Sequence, residues 1–211
     1  MRVLVFSILL LMLASCSNNN NMLPVYGTKI YTSKVVDGNE VIDSADYTIP
    51  PFSFVNQDSV VVNNETVKGK IYVADFFFTS CPSICPKMKK EMLRVYEKYK
   101  ANNEVIILSF SIDPARDTVA RLKNYSGKLG LENSSKWHML TGEKDSIYAI
   151  AASFLVSAAE DPNAPGGHVH SGNFILVDKQ SRLRGYYDGT KTESVDKLLG
   201  DIDILLQEKQ P

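Results

Sequence analysis

An uninterrupted apolar run at residues 71–78, followed at once by two cysteines and an amphipathic stretch, constrains the fold of this chain most strongly. The run Ile-Tyr-Val-Ala-Asp-Phe-Phe-Phe is typical of a β-strand that is buried on both faces. Residues 87–100 then place apolar side chains at three- and four-residue steps, which predicts a helix with one apolar face. Cys81 and Cys85 therefore lie in the turn between a core strand and a helix.

The rest of the pattern alternates strands with helices. Asp117 or Thr118 is expected to cap one of these helices, and a functional contact near the cysteines is the alternative role. The Asp37-Gly38 turn signal predicts a small N-terminal β-hairpin within residues 24–47. This order predicts an α/β domain with a central sheet covered by helices on both faces, as in a thioredoxin-like fold. Strands are predicted at 52–62, 105–112, 137–140, 174–177 and 183–187, and helices at 117–125, 145–156 and 195–207.

Residues 1–16 predict a bacterial lipoprotein signal. An apolar stretch of about a dozen residues follows Arg2 and is too short to span a bilayer as a helix. It ends in Leu-Ala-Ser-Cys, which looks like a lipobox, so cleavage is expected before Cys16 and the lipid on the Cys16 thiol. A plain signal peptide with a chance cysteine is the alternative.

These N-terminal features predict how the chain is divided and where it is found. Residues 17–46, which include four consecutive asparagines, are expected to form a tether and the β extension, and residues 47–211 the main domain. The domain is placed outside the cytoplasm, held by a lipid to a membrane of the bacterial cell envelope. A formal net charge of -1 gives no support for a nucleic-acid partner.

Lipidation of Cys16 leaves Cys81 and Cys85 as the only thiols of the mature domain. A helix N-terminus stabilises a thiolate and lowers its pKa, and Cys81 is expected to be the more exposed of the two. Outside the cytoplasm the pair can form a disulfide, stay reduced through a partner, or bind a metal. A structural staple is the remaining alternative, although a bridge that closes so short a loop adds little stability.

Three residues separate the cysteines, whereas disulfide oxidoreductases of this fold usually have two. Two thiolates favour Cu(I), with Zn(II) as the competitor, and either ion needs a further ligand. His138 lies in a predicted strand and is interpreted as a packed or surface residue. His168 and His170 lie in a loop predicted to be flexible, residues 165–172, which is expected to pass close to the cysteines.

The sequence resembles the Sco/SenC family over residues 49–206. The resemblance rests on Asp-Phe-Phe-Phe-Thr-Ser-Cys-Pro-Ser-Ile-Cys-Pro at 75–86, Ser-Ile-Asp-Pro at 111–114 with Arg-Asp-Thr at 116–118, Trp137 with Leu-Thr-Gly at 140–142, and His170-Ser171 ahead of Asp178. It implies a thioredoxin-like, membrane-tethered protein that binds copper, as Cu(I) or Cu(II), through Cys81, Cys85 and His170. The family often has Asp before this histidine, where this chain has Val169, and His168 is the alternative ligand.

The resemblance also implies a partner, which is the CuA-bearing subunit of cytochrome c oxidase or another envelope copper protein. This chain is expected to donate copper to that partner, to reduce its cysteines, or to do both. A reductant for the cysteines is implied as well. The alternative is a thiol–disulfide oxidoreductase with Cys81 and Cys85 as its redox-active pair; a peroxidase and a purely structural lipoprotein are weaker readings. The cis-proline of thioredoxin-like reductases is missing, because its position falls at about Gly172.

Overall fold

The structure is a computed structural model that describes residues 22–131 and 135–208. The predicted lipoprotein signal, Cys16 and the asparagine tract of the tether lie outside the described residues. Within the described ranges, no helix has both the length and the apolar character that a membrane span requires.

Eleven strands and five helices are described; they include every element that the sequence predicts, together with two short strands and one short helix that it does not. The strands are β1 Ile30–Val36, β2 Asn39–Ala45, β3 Ser53–Asn56, β4 Val61–Asn63, β5 Ile71–Phe77, β6 Val105–Ser111, β7 Trp137–Thr141, β8 Ala158–Glu160, β9 His168–His170, β10 Asn173–Val177 and β11 Leu183–Asp188. The helices are α1 Asn64–Val67, α2 Cys85–Tyr99, α3 Val119–Lys128, α4 Lys144–Ser153 and α5 Thr192–Gln207.

Seven strands form one mixed sheet in the order β11-β10-β5-β6-β7-β3-β4. β5, β6 and β7 are parallel, while β10 pairs antiparallel with β5 and β3 pairs antiparallel with β7. The sheet and its flanking helices form the predicted thioredoxin-like fold. Because β5 leads directly into the turn with both cysteines, the dithiol lies at the carboxyl end of a central strand.

The buried side chains form two apolar clusters. Along β5, Tyr72 and Phe76 belong to one cluster, and Val73 and Phe77 belong to the other. Since successive side chains of a strand point to opposite faces, β5 is buried on both of them, as its apolar run predicts.

Two proline and capping features fix helix starts near the cysteines. Pro86 lies in the first turn of α2, where its missing N–H costs no helical hydrogen bond. The Thr118 side chain accepts a hydrogen bond from the Arg121 N–H and caps α3, as predicted. Asp117, the other predicted cap, has a different role. Its carboxylate accepts hydrogen bonds from Thr79, in the turn before Cys81, and from Ser111, at the end of β6.

The N-terminal extension is a two-stranded hairpin of β1 and β2, confirming the β extension. The segment before it, residues 23–26, contacts the main domain. Buried Arg184 donates to the main-chain oxygens of Leu23 and Pro24, at 2.7 and 3.1 Å, and Tyr26 pairs with Leu183. Arg184 lies at the end of the sheet opposite the dithiol, because Leu183 pairs with Val177 and Val177 with Tyr72.

Candidate metal centre

Cys81, Cys85 and His170 converge at the carboxyl end of β5. Their ligand atoms, two sulfurs and a ring nitrogen, all lie within 4.8 Å of one another. Cys85 Sγ is 3.3 Å from His170 Nε2, although 85 residues separate them in the sequence. The turn between β5 and α2 supplies the sulfurs, and strand β9 supplies the nitrogen. Both cysteines are free thiols.

The two thiols have different surroundings. Cys81 is half-buried and Cys85 is 2% exposed, so the predicted difference in exposure is confirmed. Burial by itself would raise the pKa of Cys81, but hydrogen bonds with Cys85 and Ser83 outweigh it and lower the pKa below the ordinary value. Burial raises the pKa of Cys85 to about 12, and the hydrogen bond with Cys81 adds to the rise. Cys81 is therefore the thiol that ionises first.

The His170 ring is held with one nitrogen free for a ligand role. Its Nδ1 lies 2.9 Å from the Ser171 main-chain oxygen, which has only lone pairs to offer, so Nδ1 carries the proton. Nε2 is then unprotonated and lies 3.3 Å from Cys85 Sγ, where it can accept a hydrogen bond when the Cys85 proton is not directed to Cys81. Burial lowers the pKa of His170, against the effect of the Ser171 hydrogen bond. A neutral imidazole with a free Nε2 is the form that binds metals.

The segment that carries both histidines is not the flexible loop that the sequence predicts. Residues 168–170 form strand β9, which pairs with β8 and places Glu160 opposite His168. β8 and β9 contain only three residues each, and so short a pattern does not identify a strand from the sequence. Along β9, His170 belongs to the sulfur cluster, while His168 is directed to Asp113, 3.7 Å away. His138 is buried and bonds Asn56, so its interpretation as a packed residue is confirmed.

Asp117 ties the turn before Cys81 to the segment that follows β6. Its carboxylate accepts hydrogen bonds from the Thr79 N–H at 2.9 Å, from the Thr79 hydroxyl and from the Ser111 hydroxyl at 2.7 Å. Arg116 adds a second connection, because its Nη1 donates to the Ser80 hydroxyl at 3.2 Å. The main chain in front of Cys81 is therefore fixed by groups from another part of the sequence.

A buried ion pair lies one helical turn beyond Cys85. Lys89 Nζ is 2.7 Å from Asp75 and 3.1 Å from the Ser109 hydroxyl, and it lies over the Phe77 ring. Asp75 also accepts from Ser109, and both charged side chains are almost wholly inaccessible. The amphipathic pattern of α2 gave no sign that Lys89 is buried. The one sequence signal was Asp75 itself, a charge inside an otherwise continuous apolar run.

The donor set fits a soft metal ion. Two thiols and one imidazole are the only group of three or more His, Cys, Asp or Glu side chains, among the described residues, whose ligand atoms are close enough to hold an ion. Two thiolates and one imidazole suit Cu(I), and they also suit Zn(II) if a fourth ligand is supplied. At the position of the missing cis-proline, Gly172 lies against Ile84 of the cysteine spacer.

The comparisons with known proteins agree with this geometry. A family model described as SCO1/SenC matches residues 41–207. A solved structure of a SCO1/SenC family lipoprotein from Bacillus anthracis str. Ames is 29% identical, with a TM-score of 0.69, over 76% of this chain and 95% of that one.

Two further structures are similar. BsSco, described as a member of the Sco family of cytochrome c oxidase assembly proteins with a disulfide switch, is 32% identical with a TM-score of 0.67, over 77% of this chain and 95% of its own. Arabidopsis thaliana ScoI with copper bound is 26% identical with a TM-score of 0.61, over 74% of this chain and 98% of its own.

Proposed function

The chain belongs to the SCO1/SenC family, and we propose that it is a copper metallochaperone that holds Cu(I) between Cys81, Cys85 and His170. The observation that carries this proposal is the convergence of two sulfurs and a free ring nitrogen within 4.8 Å. The copper-bound structure of Arabidopsis thaliana ScoI supports copper as the cargo. Thiolates are soft ligands and favour Cu(I) over harder ions.

Binding of Cu(I) releases thiol protons, and the two cysteines contribute them unequally. Cys81 ionises first because its pKa is lowered, while the Cys85 proton must leave a buried sulfur whose pKa is about 12. The positive metal ion drives this second loss, since only thiolates ligate it well. Affinity for Cu(I) is therefore expected to rise with pH.

The acceptor is proposed to be the CuA-bearing subunit of cytochrome c oxidase or another copper protein of the envelope. The description of BsSco as a member of a family of cytochrome c oxidase assembly proteins supports the first choice. Transfer by ligand exchange needs one ligand that an incoming group can reach, and half-buried Cys81 is that ligand. Leu155 and Val169, which are exposed, line the surface beside His170 and offer apolar contact to an acceptor.

Oxidation of the pair is proposed to switch copper binding off, because a disulfide removes both thiolates. A thiol reductant in the envelope then has to restore the dithiol before copper is loaded. The disulfide switch named for BsSco supports this step.

Anchoring through Cys16 is proposed from the lipobox in residues 1–16, with a tether and β extension up to residue 46 and the Sco domain from residue 47. The family lipoprotein from Bacillus anthracis supports the anchor. Metabolic labelling with a fatty acid tests it: label should enter the wild-type chain and not Cys16→Ser. Equal labelling of both would contradict the anchor.

Copper binding is tested by anaerobic titration of the reduced chain with Cu(I) against a chromophoric chelator. We expect one equivalent to bind, and Cys81→Ser or Cys85→Ser to weaken binding by at least about a hundredfold. His138→Gln is the matched control, because that histidine lies away from the cluster and should leave affinity unchanged. Equal affinity of Cys81→Ser and wild type would refute the proposal.

A second function, thiol–disulfide oxidoreductase, is favoured by the difference between the two thiols. A half-buried cysteine of lowered pKa beside a buried cysteine of raised pKa is the arrangement of an attacking and a resolving thiol. Cys81 would attack a target disulfide, forming a mixed disulfide, and Cys85 would then displace the target thiolate. Trapping of a mixed disulfide by Cys85→Ser, with full reductase activity in His170→Ala, would favour this function over copper transfer.

A further inference from the structure

A second group of polar side chains, made of His168, Asp113 and Tyr148, lies beside the dithiol centre. His168 Nε2 is 3.7 Å from Asp113 Oδ2, and each of these two side chains is only 10% exposed. The Phe78 ring contacts both histidines of β9, with ring centroids 5.1 Å from His168 and 5.9 Å from His170. The copper site proposed above uses none of the three polar side chains.

The contacts of His168 allow a tautomer in which its Nε2 atom is unprotonated. The Tyr148 hydroxyl donates to the Ile112 main-chain oxygen at 3.1 Å, so its own oxygen can accept the Nδ1 proton of His168, 3.5 Å away. The unprotonated nitrogen is then Nε2, which is the atom that lies near Asp113. A histidine whose other nitrogen donates to an oxygen in this way is arranged as a metal ligand.

Asp113 Oδ2 is a buried carboxylate oxygen without a hydrogen-bond partner. Leaving such a group unsatisfied is costly, and native structures contain few examples. Arg116 Nε lies 3.3 Å from it as an ion pair, outside hydrogen-bond geometry, and the Arg116 side chain is 54% exposed. The carboxylate and the free ring nitrogen therefore face each other across a distance that a cation would bridge.

We propose that His168 Nε2 and Asp113 Oδ2 form a second metal site, for a borderline divalent ion of the Cu(II) or Zn(II) type. One imidazole and one carboxylate are harder ligands than two thiolates, so this site and the dithiol prefer different ions and oxidation states. The inference goes beyond the proposed function and does not depend on Cu(I) binding.

Arg116 gives the proposal a diagnostic consequence. A cation at Asp113 Oδ2 would be repelled by the Arg116 guanidinium, which has to turn away towards solvent when the ion binds. Arg116→Gln removes that repulsion and should strengthen binding severalfold. A purely structural ion pair between Asp113 and His168 would give no metal affinity to strengthen.

The test uses the full chain with all three cysteines replaced by serine, so that no thiol is present. Cu(II) is titrated and followed by electron paramagnetic resonance, with Zn(II) as a competitor. We expect one equivalent bound with nitrogen and oxygen ligands. His168→Ala and the isosteric Asp113→Asn should each weaken binding at least about tenfold, while His170→Ala, two residues along the same strand, should retain it. Circular dichroism checks that each variant is folded.

Three results would overturn the second site. They are failure of the folded thiol-free chain to bind Cu(II), loss of Cu(II) in His170→Ala but not in His168→Ala, and an affinity that neither Asp113→Asn nor Arg116→Gln changes. Because the thiols are absent, none of these results depends on whether the dithiol centre binds Cu(I).

Discussion

The unequal ionisation of the two thiols predicts which of them reacts first. In a Cys16→Ser chain, reduced and free of metal, iodoacetamide at pH 8 should alkylate Cys81 well before Cys85. The pKa of Cys81 lies below its ordinary value of 9.0, and that of Cys85 is raised to about 12. The thiolate fractions at pH 8 are therefore at least about 0.1 for Cys81 and about 10⁻⁴ for Cys85, a ratio of at least about 10³.

Nucleophilicity offsets part of that ratio. A thiolate of higher pKa reacts faster once formed, and a Brønsted coefficient near 0.5 over three pKa units gives about a 30-fold gain to Cys85. A preference of at least about 30-fold for Cys81 remains, before the burial of Cys85 slows access further. Peptide mass spectrometry over a time course measures both rates.

The control is the same chain in guanidinium chloride, where the surroundings of the thiols are lost and both should react at similar rates. Raising the pH of the native sample towards 10 should reduce the preference, because the Cys81 thiolate fraction saturates while that of Cys85 continues to increase. Equal native rates at pH 8, or faster alkylation of Cys85, would refute the assignment of Cys81 as the ionised thiol.

Three further predictions concern the scaffold. Lys89→Met leaves the Asp75 carboxylate buried without its counter-ion, so urea denaturation should show a loss of about 3–5 kcal/mol in the free energy of unfolding. Most of this loss should be recovered in the double variant Lys89→Met/Asp75→Asn. A double variant as unstable as the single one would contradict this. Thr118→Ala removes the N-cap of α3 and should cost about 1 kcal/mol in the same assay, whereas no change would show that the cap is dispensable. Arg184→Met removes the hydrogen bonds to residues 23 and 24, so amide exchange in residues 22–29 should accelerate while the alkylation preference for Cys81 persists; unchanged exchange would show that Arg184 does not hold this segment.

Much of the fold could be predicted because the signals are local. The run at 71–78 and the three- and four-residue steps of α2 identify a core strand and its helix, and the structure has them at Ile71–Phe77 and Cys85–Tyr99. The Asp37-Gly38 turn likewise gave the β1–β2 hairpin. Each of these elements is long enough for its hydrophobic period, or its turn residues, to identify it.

The parts that could not be predicted depend on contacts between distant residues. Strand β9 has three residues and exists because β8 pairs with it, so the sequence around His170 indicated only a loop. Asp117 looks like a helix cap locally, but its partners Thr79 and Ser111 come from other elements. Burial of Lys89 follows from Asp75 across the helix–sheet contact. The hydrophobic periodicity of one segment carries no information about its contacts with residues distant in the sequence.

The central claim, a copper centre of two sulfurs and one ring nitrogen, is tested most directly by X-ray absorption of the reduced chain loaded with one equivalent of Cu(I). We expect two sulfur ligands and one nitrogen ligand in the wild type. The nitrogen should be lost in His170→Ala and kept in His168→Ala, because only His170 lies with both sulfurs. A nitrogen that persists in His170→Ala and disappears in His168→Ala, or a copper centre with fewer than two sulfurs, would contradict the account.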